Sequence, residues 1–108
     1  MASDKAQVAF FAEQMAGAGT ITFRPMFGEY GVYCDGRVVA FVCDNTLYLK
    51  PVPEVLALLE DPVMEPIYPG SKDYVRIEAE LDEPERLAMR VRVVADAVAE
   101  KAPRKRKG

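Results

Sequence analysis

Histidine is absent from this sequence. With it go the usual general base at neutral pH, the Ser-His-Asp and Cys-His arrangements, and the commonest metal ligand. Cysteine is scarce: Cys34 and Cys43 are too few for a disulfide framework and fit a reducing compartment. No apolar run approaches the roughly eighteen residues that a membrane-spanning helix needs. The start, Met1-Ala2-Ser3-Asp4, lacks the basic residues and long apolar stretch of a secretion signal. These absences predict a cytoplasmic protein that is not an enzyme, with no cofactor, no metal and no membrane contact.

What is present suits one packed domain. The chain has 108 residues, 50% of them apolar, enough to bury roughly two-thirds of the unfolded surface without staples. The net charge of -3 conceals a split. Lys101, Arg104, Lys105, Arg106 and Lys107 are basic, whereas residues 1–100 carry nine basic side chains against seventeen acidic ones. The body therefore repels nucleic acid and the tail attracts it. We expect a domain over residues 1–102 and a disordered basic tail over 103–108.

Val8, Phe11, Ala12 and Met15 fall on one stripe of a helical period, with Ser3 placed to cap it and Gly17 and Gly19 to end it. An extended stretch runs from Ile21 to about Phe27, with Pro25 disfavouring helical angles at Arg24. Asp35-Gly36 lies between two apolar runs and is a strong signal for a two-residue hairpin. Such a loop pairs Cys34 with Arg37, Val32 with Val39, Tyr30 with Phe41 and Gly28 with Cys43 on one face. The other face then holds Tyr33 with Val38, Gly31 with Ala40 and Glu29 with Val42. Asp44-Asn45 marks a second turn before a strand over Thr46–Lys50. A short helix near Pro53 carries Val55, Leu56, Leu58 and Leu59 until Asp61-Pro62.

Val63 to Tyr68 and Tyr74 to Glu78 read as two further strands about a Pro69-Gly70 turn. A last helix opens on Asp82-Glu83-Pro84-Glu85, where Asp82 and Glu85 have capping-box spacing, and runs along Leu87, Val91, Val94, Ala95 and Val98. The order is α-β(3-4)-α-β(2)-α. It predicts a two-layer α+β domain: an antiparallel meander with its helices on one face. Gly31 and Ala40 admit a close helix on the face of Val38 and Val42. Tyr30, Val32, Val39, Phe41 and Tyr48 are left on the other face, where a two-fold partner would remove them from water.

The central block, Met26-Phe27-Gly28, Tyr30-Gly31, Asp35-Gly36 and Leu47-Tyr48-Leu49-Lys50, closely resembles the N-terminal domain of the TfoX/Sxy family. Tyr68-Pro-Gly-Ser-Lys-Asp-Tyr74 is similar to a segment of its short members. The likeness spans about Thr20 to Ala95. It implies a two-layer α+β domain often seen as a dimer, in a family named for a regulator of natural DNA uptake that works with other transcription factors. The regulators carry a second, C-terminal domain, for which 108 residues leave no room. The resemblance is thus to a short stand-alone member and brings no catalytic residues.

Each candidate for chemistry has a plainer counterpart. The derived pairing separates Cys34 and Cys43 by about six residues along a strand, roughly 20 Å, so they read as small apolar residues rather than a redox or zinc pair. Gly28 and Gly31 lead into a strand without a following Gly-Lys-Ser/Thr, which favours close packing over a phosphate loop. Tyr30, Tyr33, Phe41 and Tyr48 are interleaved with too few basic residues for a base-stacking platform and suit core or dimer contact. Glu78, Glu80, Asp82, Glu83 and Glu85 read as a solvated rim. Lys50, Tyr68, Lys72 and Tyr74 form a candidate site for a small anion, with Lys50 otherwise laying its stem on apolar surface. Arg104, Lys105, Arg106 and Lys107 could hold nucleic acid weakly and without sequence preference, or simply solubilise the end. The leading reading is a homodimeric interaction or regulatory module that binds an unidentified protein partner.

Overall fold

The computed structural model describes residues 4–26 and 29–101. Helix α1 spans Lys5–Met15 and runs into a 3₁₀ turn over Ala16–Ala18. Strands β1 (Ile21–Met26), β2 (Glu29–Cys34), β3 (Arg37–Cys43) and β4 (Thr46–Leu49) follow as an antiparallel meander. Helix α2 (Pro53–Leu56) leads to β5 (Val63–Pro66) and β6 (Asp73–Ile77). A 3₁₀ turn over Ala79–Asp82 precedes helix α3 (Pro84–Lys101). The six strands lie in the order β1-β2-β3-β4-β6-β5, every neighbour antiparallel. The α+β architecture expected from the pattern of apolar runs is the one found. Among the described residues no helix is long and apolar enough to cross a membrane.

The stripe on α1 buries Val8, Phe11 and Met15, and α3 buries Leu87, Val91, Val94 and Ala95 against the same sheet face. Each such valine, leucine, methionine or phenylalanine, fully buried, contributes about 1.5–3 kcal/mol. The helix starts differ from expectation. Asp4 stands at the N-cap of α1, and Ser3 lies outside the described residues. Helix α3 begins at Pro84, which needs no backbone donor in the first turn, so Asp82 closes the preceding 3₁₀ turn instead of capping the helix. Helix α2 is one turn only: past it the Leu58 and Leu59 N–H groups bond three residues back, to the Val55 and Leu56 carbonyls, and Leu58 is left 45% exposed.

The β2-β3 register is the main correction. Asp35 and Gly36 adopt φ of 52° and 84°, making the expected turn, and Cys34↔Arg37 and Tyr33↔Val38 pair as predicted. The ladder then shifts between Val32 and Tyr33, so that Val32 faces Ala40, Gly31 faces Phe41 and Tyr30 faces Val42. Val39 is the extra residue of a β-bulge, so Ala40 and Val42 stay under the helices and Phe41 outside as expected, while β2 presents the opposite face from the one expected, with Val32 inside and Gly31 outside. Val32 and Val39, expected at a partner surface, are both 0% exposed in the core, with Cys34, Ala40 and Val42. Gly31 and Val38 lie on the opposite face, not under the helices as expected. The predicted Gly28–Cys43 pair involves a residue outside the described ones. Both cysteines are free.

Candidate functional site

The alternation of side chains along each strand gives the sheet a second face, which no helix among the described residues covers. Its middle is aromatic. Phe41 on β3 meets Tyr74 on β6 edge to face, with ring centroids 5.2 Å apart and planes at 76°. Tyr48, between them in the sheet order, is 9% exposed and donates its hydroxyl to Glu65 Oε1 at 3.2 Å. Arg76 donates to Glu65 Oε2 at 3.1 Å, fixing the Glu65 carboxylate beside Tyr48, and pairs with Glu78 at 2.9 Å. Nearer β1, the Arg24 guanidinium carbon lies 5.0 Å from the Tyr33 ring centroid.

The segment joining β5 to β6 forms one wall. Gly70 takes a φ of 89°, as the Pro69-Gly70 turn requires. Ser71 stitches the loop: its hydroxyl accepts from the Ile67 N–H at 3.0 Å and donates to the Lys72 carbonyl at 2.8 Å. Ile67 and Tyr68 are thereby held beside a cavity of about 470 Å³ that Met26, Tyr30, Phe41 and Tyr74 also line. Glu29 and Cys43 complete it. Glu29 Oε2 accepts the Asp44 N–H at 2.9 Å.

Protonation states on this face lean towards neutrality. Burial, then the Glu65 hydrogen bond, pushes the Tyr48 hydroxyl up. Burial, then the neighbouring Tyr68 phenol, does the same to Tyr74. Burial, followed by Glu29, raises the Cys43 thiol, so the reactive thiolate is disfavoured. Burial, assisted by the charge of Lys72, lowers Lys50. The cavity wall is thus mostly aromatic and apolar, with Glu29 as its carboxylate. Among the described residues no group of His, Cys, Asp and Glu could hold a metal ion.

The predicted site residues fall into three sets. Phe41 and Tyr48 lie on the open face; Tyr30, expected there with them, follows Val32 in the reversed facing of β2 and packs against the core, edge-on to Phe23 at 6.3 Å, while also lining the cavity. Tyr68 and Tyr74 share the cavity, and Lys72 Nζ stands 5.8 Å from the Tyr74 ring centroid, so most of the proposed anion cluster is assembled. Val32 and Val39 are core. Arg104, Lys105, Arg106 and Lys107 lie outside the described residues. Met26 and Ile67 were not anticipated in the site; Met26 became legible only with the observed β1-β2 pairing, and Ile67 with the loop's fold-back.

A second polar cluster, also unanticipated, joins the hairpin to the helices. Asp35 Oδ1 accepts the Thr20 N–H at 2.9 Å, and Oδ2 accepts from Arg92 at 2.9 Å. Arg92 also donates to the Ala18 carbonyl at 3.0 Å and to Asp96 at 2.8 Å. The Thr20 hydrogen bond, then Arg92, holds the Asp35 carboxyl below its ordinary value of 3.8. A depressed carboxylate pKa stabilises the fold fully above the unfolded value, and this stability is lost as pH falls through 3.8 and on to the lower folded value. Asp35→Asn, which tolerates the same turn angles, is therefore expected to lower the urea midpoint at pH 7. It should also flatten the midpoint's fall below pH 4, both read by circular dichroism.

A family model described as the TfoX N-terminal domain matches residues 13–98. The chain is also similar to an uncharacterized 12.7 kDa protein in the trpE 5′ region of Spirochaeta aurantia. The two are 37% identical over 107 residues, which cover 99% of this chain and 93% of that protein.

Proposed function

The chain belongs to the TfoX N-terminal domain family, and from that premise we propose that it is a non-catalytic regulatory module acting through protein contacts, pairing with a second copy by the helix-free face of its sheet. Membership supports a regulatory, competence-related role at the coarse level. The observation that carries the pairing is the aromatic centre of that face, where Phe41, Tyr33, Val38 and Tyr74 stay only half-buried with no helix over them. Apolar groups of this kind, ringed by polar ones, mark contact surfaces.

Charge supports an isologous contact. Arg24, Lys50 and Lys72 stand around the aromatic centre together with Glu29 and Glu65, and a two-fold axis can set one sign against the other. Sedimentation equilibrium at tens of micromolar is expected to return twice the chain mass. A monomer at that concentration, in low and in moderate salt, overturns the pairing.

A further inference from the structure

Tyr74 joins two features that pairing does not explain. It lines the cavity of about 470 Å³, whose other walls include Phe41, Ile67 and Tyr68; that size accommodates a small organic ligand. It also stands beside Lys72 and at the register level of Lys50, two lysines outside the cavity lining. Lys72 Nζ is 5.8 Å from the ring centroid. Lys50 follows β4 and donates its N–H to the Val39 carbonyl at 2.9 Å, extending the ladder. By strand alternation its side chain projects on the face of Tyr48, at the level of Tyr74.

Neither ammonium forms an ion pair with a described residue. Two like charges on one sheet face, the half-buried Lys50 feeling that of Lys72, are unfavourable until an anion neutralises them. The carboxylate of the cavity, Glu29, belongs to β2 and is bonded to the Asp44 N–H at 2.9 Å. A bound anion would orient its charge away from it. Burial and the charge of Lys72 already disfavour the ammonium form of Lys50, as expected where a counter-ion is missing.

We propose that this is a binding site for a small aromatic carboxylate, its ring lying in the cavity against Phe41, Tyr68 and Tyr74 and its carboxylate meeting Lys50 and Lys72. The site does not require the second copy.

The test is a nuclear magnetic resonance titration of the isotope-labelled full chain at low salt with three probes: naphthoate, uncharged naphthol, and acetate. Naphthoate is expected to shift the Phe41, Lys72 and Tyr74 signals and to bind at least about tenfold more tightly than either of the others, since ring and charge both contribute. Lys50→Ala with Lys72→Ala should weaken naphthoate about tenfold, as two lost near-surface charge contacts of about 0.7 kcal/mol each would, and leave naphthol unchanged. The pair Lys50→Gln and Lys72→Gln, which keeps the side-chain stems, should behave alike, and thermal melts verify that both variants fold. Naphthol binding as tightly as naphthoate, a double variant that holds naphthoate undiminished, or no shift at the naphthoate solubility limit each overturns the site. Diffusion measured on the same samples separates the two readings: a monomer that binds naphthoate defeats the pairing and supports the site.

Discussion

Val32→Asp is expected to leave no folded protein at 25 °C, whereas Val38→Asp should fold. Val32 is 0% exposed, lies between Phe23 on β1 and Ala40 on β3, and points into the layer shared with α1 and α3. Aspartate there loses the roughly 1.5–3 kcal/mol of a buried valine and adds a desolvated charge costing several kcal/mol. A domain of this size holds only about 5–15 kcal/mol in total. Val38 pairs with Tyr33 on the open face and is half-buried, so its replacement should cost about 1 kcal/mol, the typical effect of a point substitution. Far-UV circular dichroism and a thermal melt of the two variants read the difference. An unbroken ladder that kept Ala40 and Val42 under the helices would reverse the order, with Val38 beneath them and Val32 outside.

That reversal shows where sequence and structure part. The turn was legible because Asp35-Gly36 has a local physical signature, two residues that accept positive φ. So were the second turn, where Asp44 and Asn45 take φ of 53° and 60°, and the stripes of α1 and α3. The bulge was not, because Val38-Val39-Ala40-Phe41-Val42 is apolar at every position and an inserted residue leaves no break in the alternation. With the register went the face assignment. Phe41 stayed on the open side only because the bulge in β3 and the reversed facing of β2 both enter its placement.

The Arg92 cluster was invisible for another reason. Its partner Asp35 is 57 residues away, and a pairing at that separation has no local pattern. The turn at Pro69-Gly70 could be read, and Tyr68, Lys72 and Tyr74 could be grouped. That the loop leans over the sheet to enclose a cavity depends on the Ser71 hydrogen bonds and on β6 lying between β4 and β5, neither of which the order of residues states.

Phe41→Glu should separate the proposed dimer while keeping the monomer folded. Phe41 sits at the centre of the open face, opposite Gly31 and Tyr48 and edge-on to Tyr74, with no helix above it. A central aromatic anchor is worth about 2 kcal/mol or more to an interface, at least about thirtyfold in dissociation constant. A two-fold contact also brings both new carboxylates to the same apolar centre, and like charges there oppose pairing further. We expect sedimentation of the variant at tens of micromolar to give the mass of one chain, with a melting temperature lowered by only a few degrees, since Phe41 is half-buried within its own chain. Met89→Glu supplies the contrast. Met89 is 59% exposed on α3, on the far side of the sheet, and a change there should leave the mass unaltered if the open face is the contact. Should Met89→Glu dissociate the protein and Phe41→Glu not, the helical layer carries the interface, and the half-buried aromatics of the sheet serve the cavity alone.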